Sequence, residues 1–306
     1  ALSALDYNGD GYNTAMGYYA LAASVTGIEN TAIGVAAGQS ITTGDFNTFL
    51  GISAGAATQD VDNAVLVGRA AGAENNMTAD ADGTVAVGAF AGRNITSGIG
   101  NVAIGSGSLK TEDAGIYNTA IGTLALATQN AGTNGKSTAV GYHAGTAITT
   151  AYMNTIVGSE AADGITTGIQ NTVVGARALG TADGDEARNV VIGVDAMGAV
   201  NNDSSDYNIA IGPTDTLYGG TGVIIGNIAI GASALMSTGN QAQTGTIAIG
   251  HHSLKALTSG IGNVAIGSGS MAANATSDFN TAVGTNALSK VTNDGATGNV
   301  AVGYQT

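Results

Sequence analysis

Aliphatic and polar positions alternate with a period of two along this chain, in stretches only three residues long, and each stretch stops at a glycine. Aligning on those glycines gives 17 anchors, from Gly17 and Gly34 to Gly284 and Gly303, spaced 17 to 20 residues apart. The residue just before the anchor is aliphatic or Met every time, and the residue three before it is Thr, Val or Ile. Between them stands Ala in 12 of the 17 copies. Period-two alternation predicts a short strand with one buried face. The strand takes the larger column inward and the Ala column outward.

Four residues before the anchor, Asn recurs in 13 copies. Its carboxamide bonds nearby backbone and tolerates turn conformations, so the column reads as a turn device at strand entry. After the anchor, segments such as "GTLAL" (122–126) and "GTNAL" (284–288) predict a second short strand in each unit. Length variation is confined to the loops, at 75–84, 180–189 and 200–208. The thirteen residues TSGIGNVAIGSGS occur at 96–108 and again, letter for letter, at 258–270, as two copies of one recurring unit. Self-similarity at such a period is the mark of a solenoid, in which each repeat touches only its neighbours and insertions are absorbed at one corner.

Glycine in every repeat and β-branched residues in the strand columns oppose a helical array. Glycine also lacks the three-residue period of collagen. The prediction is therefore all-β: a parallel β-solenoid, or β-roll, of about 17 coils, with residues 1–306 as a single repetitive fibre segment of a longer chain.

Composition sharpens this picture. There are 49 glycines, one proline, no tryptophan and no cysteine, and aromatics make up 5% of the chain, so a thin core repeated many times fits better than a thick one. Disulfides and thiolate metal sites are excluded. The balance of 22 acidic to 8 basic residues gives a net charge of −14, which disfavours nucleic acid and anionic membranes as partners. No apolar run approaches the length of a membrane span, and no membrane insertion by this segment is expected. An outward apolar Ala strip running along a narrow solenoid marks an interface, so a homo-oligomer is expected, with three-fold symmetry compatible with the columns.

The recurring "NTAIG" and "NVAIG", followed by "xxAL" or "xxSL", resembles the head repeat of YadA-like trimeric autotransporter adhesins and the related repeats of bacteriophage tail fibres. The resemblance spans essentially the whole chain, although these coils are longer than the adhesin repeat. It implies a left-handed β-roll and a homotrimer. By position, Asn30, Asn101, Asn118, Asn171 and Asn263 match the family's turn Asn, and Ile33, Ile104, Ile121, Val174 and Ile266 match its core aliphatics. It implies an extracellular or virion-surface fibre with a role in host attachment, a phage tail fibre ahead of a bacterial adhesin or matrix fibre.

Several residues are candidates for chemistry. Tyr12, Phe46, Tyr117, Tyr207 and Phe279 precede the turn Asn. They either stack on sugar rings of a cell-surface glycan or contact a protein receptor, or they simply cover the coil corner. The adjacent Tyr18 and Tyr19 lie in another register. Asp60 with Asp62, Asp80 with Asp82, and Asp183, Asp185 and Glu186 are close-set carboxylates, but without a calcium-loop spacing they read as solvated charge. His143, His251 and His252 follow anchor glycines and read as outward-facing residues rather than metal ligands. Pro213, in the unit 208–226, predicts a local widening or bulge. No nucleophile, base and orienting group converge, so neither catalysis nor a cofactor is expected. An ice-binding face would need an outward Thr array, and this reading turns the Thr column inward.

Overall fold

A computed structural model describes residues 11–181, 184–200, 202, 204–236, 241–290 and 297–306. The chain divides into two compact units, Ala1–Met153 and Asn154–Thr306. Both are parallel β-solenoids, and nearly all of their regular structure is three-residue strands. Among the described residues the first unit stacks eight such strands, from Thr14–Met16 to Thr138–Val140, and the second stacks nine, from Thr155–Val157 to Val300–Val302. Pairing is parallel and in perfect register, so that Thr31 lies beside Thr48, Ala103 beside Ala120, and Ile230 beside Ile249.

The Asn column holds one coil to the next. The Asn30 backbone N–H donates to Asn13 Oδ1 at 2.8 Å, Asn47 N–H to Asn30 Oδ1 at 2.9 Å, and Ala64 N–H to Asn47 Oδ1 at 2.8 Å. Most of the side-chain amides donate in turn to a backbone carbonyl of the following coil, as Asn30 Nδ2 does to Gly44 at 2.7 Å, whereas Asn118 Nδ2 finds no such acceptor. The ladder recurs in the second unit through Asn154, Asn171, Asn189, Asn208 and Asn227. Asn30, Asn101, Asn118, Asn171 and Asn263 are buried. The column is therefore an internal hydrogen-bonded ladder as well as a turn element.

The anchor glycine answers a steric demand. Its φ lies between +123° and +155°, and a Cβ there would stand 2.0 to 3.0 Å from the carbonyl of the anchor in the next coil, for example 2.0 Å from Gly212 O at Gly193. Only a residue without a side chain lets the coils close to strand spacing.

Burial reverses the expected faces. The residue between the two larger columns is the buried one: Ala32, Ala86, Ala103, Ala120, Ala229 and Ala265 have no exposed surface. The columns that flank it face outward. Ile33, Ile104, Ile121, Val174 and Ile266, expected in the core, are partly exposed, Ile104 and Ile121 at 37% and Ile266 at 38%. Asn and Ala share one parity of the strand, and the Asn ladder must be inside for its amides to pair, so Ala is inside with it. The cross-section leaves no room for two larger columns as well.

What fills that core is a complementarity between the Ala slot and the residue four after the anchor. Where the slot holds Ala, that residue is commonly a buried Leu, as Leu109, Leu126 and Leu254. Where the slot holds Phe49, the flanking positions are Gly38 and Gly55, whose Cβ atoms would stand 2.7 and 2.5 Å from the ring. Next to Leu66 the corresponding residue is Gly72. Large and small alternate to keep the thin core filled.

Among the described residues the second strand expected after the anchor forms in no coil. After the anchor, the second and fourth residues adopt left-handed conformations, as at Leu124 (φ 59°) and Leu126 (φ 49°), and alternating left-handed residues cannot form a strand. Additional strands occur at Ile224–Ile225 and Gln243–Thr244, which pair with each other. Pro213 introduces a one-residue shift: the left-handed Leu217 comes five residues after its anchor instead of four. The proline costs no ladder bond, because in the neighbouring coils the N–H donors are the anchor and the second residue after it (Gly193 to Val174, Asp195 to Ala176).

The repeated thirteen-residue segment is now explained role by role. Thr96 and Thr258 donate their hydroxyls to carbonyls of the next coil, those of Asp113 and Ala275, at 3.1 and 3.0 Å. Asn101 and Asn263 donate to Gly115 and Ser277 at 2.7 and 2.6 Å, and Ser108 and Ser270 bond back to their anchors at 2.9 Å. The same coil geometry, met twice, takes the same residues.

Asn208→Ala orphans the Asn227 N–H and the Ile224 carbonyl, and urea unfolding should show a loss of about 2–4 kcal/mol. Phe49→Ala should cost about 3–5 kcal/mol, and adding Gly55→Leu, which recreates the Ala and Leu pairing of other coils, should recover part of that loss in the same assay.

Candidate interaction surface

The outward columns make one continuous sheet face in each unit. Three residues before the anchor stand Thr, Val or Ile, and one before it Ile, Val, Leu or Met, so neither column holds a charged residue. At about 4.8 Å per strand, the face runs about 35 Å in each unit. It is most apolar in the second unit, where five successive strands, Val190–Ile192, Ile209–Ile211, Ile228–Ile230, Ile247–Ile249 and Val264–Ile266, present only Val and Ile outward. The Thr column points outward too, opposite to expectation, but Thr occupies it in only eight of the 17 strands, so it is not a continuous hydroxyl array.

At the corner just before the Asn ladder the chain takes a left-handed residue in each coil, and here the aromatics sit. Tyr12, Phe46, Tyr117, Tyr207 and Phe279 have φ between 46° and 61° and are exposed by 73, 49, 55, 56 and 59%. Glycine fills the same position at Gly83, Gly100, Gly226, Gly245, Gly262 and Gly298. The Tyr117 ring lies over Gly100 and the Phe279 ring over Gly262, approaching the Cβ position within 2.9 and 2.7 Å. Those two rings do cover a neighbouring corner. Tyr207 instead has the Arg188 guanidinium 5.3 Å from its ring centroid.

The acidic residues play local roles. Asp45, Asp62 and Asp82 form a second ladder beside the Asn column, accepting the N–H groups of Ile28, Asp45 and Asp62 at 2.8, 2.7 and 2.7 Å. Burial pushes the Asp82 carboxyl above its usual range, opposed by the hydrogen bond from Asp62 and reinforced by the charges of Asp62, Asp60 and Asp80. Asp185 is exposed, Glu186 is buried and Asp183 lies outside the described residues. His251 and His252 stack with ring centroids 3.6 Å apart, and His143 lies 4.1 Å from Tyr142. Tyr18 and Tyr19 meet edge to face at 4.1 Å. Among the described residues no three His, Cys, Asp or Glu side chains are placed to share a metal ion, and no helix is long and apolar enough to cross a membrane.

Sequence reasoning missed two buried carboxyls: Glu186, expected as solvated charge, is fully buried with the Gly184 N–H donating to it at 3.3 Å, and Glu112 was not singled out. Seven residues after the anchor, several coils place a buried apolar residue, as Ile41, Ile95, Ile148 and Ile165, and others a buried Ser, Thr or Asn, as Ser24, Thr58 and Asn274. Glu112 occupies that place, fully buried, and accepts the N–H groups of Gly115, Asp113 and Ala131 at 2.8, 3.2 and 3.3 Å. Gln129 holds the same position one coil on, donating to Asn118 Oδ1 and to the Ala151 carbonyl, each at 3.3 Å. The clue was the column itself, which holds Ile or a small polar residue in many coils and an ionisable side chain only at Glu112.

No family model matches this chain, and none of the curated proteins matches it in sequence.

Burial pushes the Glu112 carboxyl up against the pull of its three N–H donors. Its protonated form is thus favoured by the fold, and its contribution to stability is full at pH below the ordinary carboxylate range and lost as the pH rises through its raised value. Urea midpoints of wild type and Glu112→Gln should therefore diverge between pH 4 and pH 7, with the variant gaining on the wild type at pH 7.

Proposed function

We propose that this chain is a segment of a structural and adhesive fibre, of the phage tail-fibre kind, that self-associates through its outward sheet face and presents a recognition surface outside the cell or on a virion. The observation that carries the reading is the uncharged Thr, Val and Ile face that runs along every strand of both units. Left in water, such a stripe is unfavourable along its whole length. A second or third copy presents the same columns at the same rung spacing, so Val and Ile can meet rung for rung about a common axis. Chains of net charge −14 repel one another elsewhere, which makes an uncharged face the natural contact. The resemblance to trimeric adhesin heads supports three copies. A bacterial surface adhesin or matrix fibre is the runner-up, because the same architecture serves both.

Ala was expected to form the contact between copies, but its column is buried inside each chain, so the contact passes to the Thr, Val and Ile columns.

Sedimentation equilibrium should give a mass near three times 29.6 kDa, and association should strengthen with salt as the mutual repulsion is screened. Ile211→Asp with Ile230→Asp should weaken association about 100-fold or more, with an unchanged circular dichroism spectrum. A wild-type monomer at micromolar concentration would overturn the reading and leave the face for another ligand, ice included.

A further inference from the structure

The second unit carries an opening between two aromatic corners. Along the left-handed corner column the order is Tyr207, Gly226, Gly245, Gly262, Phe279. The two rings stand four strand spacings apart, about 19 Å. Between them Gly226 and Gly245 are exposed, with no atom within 4 Å of where a Cβ would lie. The Phe279 ring closes the far end by lying over Gly262, and Tyr207, backed by Arg188, bounds the near end.

Each ring has a carboxylate as its chain neighbour. Asp206 is fixed by accepting the Ala187 N–H at 2.7 Å, and Asp278 by accepting the Ile261 N–H at 2.9 Å. Asp45 beside Phe46 repeats the arrangement in the first unit, with the Ile28 N–H at 2.8 Å. A bulky residue in a left-handed conformation is strained where glycine is not, and glycine serves at this corner in six other coils. The corner also takes non-aromatic residues, as Glu29, Asn63, Lys136 and Met153, and the Asp before it bonds the preceding coil with or without a ring, as Asp62 before Asn63 does, so the turn itself does not require the exposed rings of Tyr207 and Phe279.

We propose that the trough bounded by Tyr207 and Phe279 binds a neutral glycan chain. The rings stack on the apolar faces of sugar rings, and the Asp206 and Asp278 carboxylates accept hydrogen bonds from sugar hydroxyls. The same carboxylates, on a chain of net charge −14, disfavour acidic sugars. The glycine floor lets the chain of sugars lie close to the backbone. This deepens the recognition part of the proposed function, and the site stands beside the columns assigned to the contact between copies.

The test is calorimetric titration of the full chain, in its native assembly, with cellohexaose, maltohexaose and chitohexaose, and with a heparin hexasaccharide as the acidic comparison. At least one neutral probe should bind and the heparin probe should not. Tyr207→Ala should weaken that binding about tenfold or more. Gly226→Asn with Gly245→Asn, which fills the trough with a residue that tolerates the left-handed region, should abolish it. Sedimentation run alongside should be unchanged in both variants. Failure of all neutral probes, or equal binding by both variants, overturns the site while leaving the fibre reading intact. A change in mass on Tyr207→Ala would also overturn it, by showing the ring to be a contact between copies.

Discussion

The asparagine ladder sets the terms for the rest of the structure. A solenoid coil of 17 to 20 residues must turn several corners, and every corner turns backbone polar groups away from the strand ladder. Buried and unpaired, each such group would cost more than a coil this small can supply. In 13 of the 17 coils an Asn at the corner before the strand answers this: at Asn30 the oxygen takes the N–H of the next coil's ladder residue, and the amide reaches a carbonyl of the next coil. The oxygen's contact is made between coils, so it fixes their register.

Two further constraints follow from that register. Coils held at strand spacing bring consecutive anchors so close that a Cβ has no place, and glycine recurs at the anchor for that reason. Asn inside the coil also fixes the parity of the strand, sending Ala inward and the Thr, Val and Ile columns out. The core that remains is narrow enough that Phe49 needs Gly38 and Gly55 around it. Where Ala fills the slot, a Leu from the turn beyond the anchor commonly reaches in. Glu112 and Gln129, the largest polar side chains at their place in the coil, are tolerated because loop N–H groups and carbonyls lie within reach of them.

The outward face is a by-product of this economy and the source of its use. A chain that spends its small residues and its amides on the interior has only β-branched aliphatics and threonines left for the other face. Charge is pushed to the loops and corners. Each unit therefore presents an uncharged sheet face, the one proposed above to meet other copies, and exposed rings at the left-handed corners.

Much of this was legible in the sequence. The glycine spacing gave the coil, the alternation gave the strand before each anchor, and the Asn column gave the corner. The identical segments at 96–108 and 258–270 pointed to one geometry met twice. These are local and periodic facts, and a period can be counted. Which face is inside could not be read from alternation alone, because a period of two is symmetric between the faces. The larger columns of Ile104 and Ile266 were natural candidates for the interior, and only the cross-section of the folded coil, with Asn and Leu already in it, left them no room. The missing second strand has the same origin. Segments such as "GTLAL" look extended by composition, yet the fold sets Leu124 and Leu126 left-handed so that Leu126 can enter the core. Sequence determined the repeat and its turns through local chemistry; the tertiary structure decided inside from outside, because that choice depends on how much volume one coil encloses when its neighbours are in place.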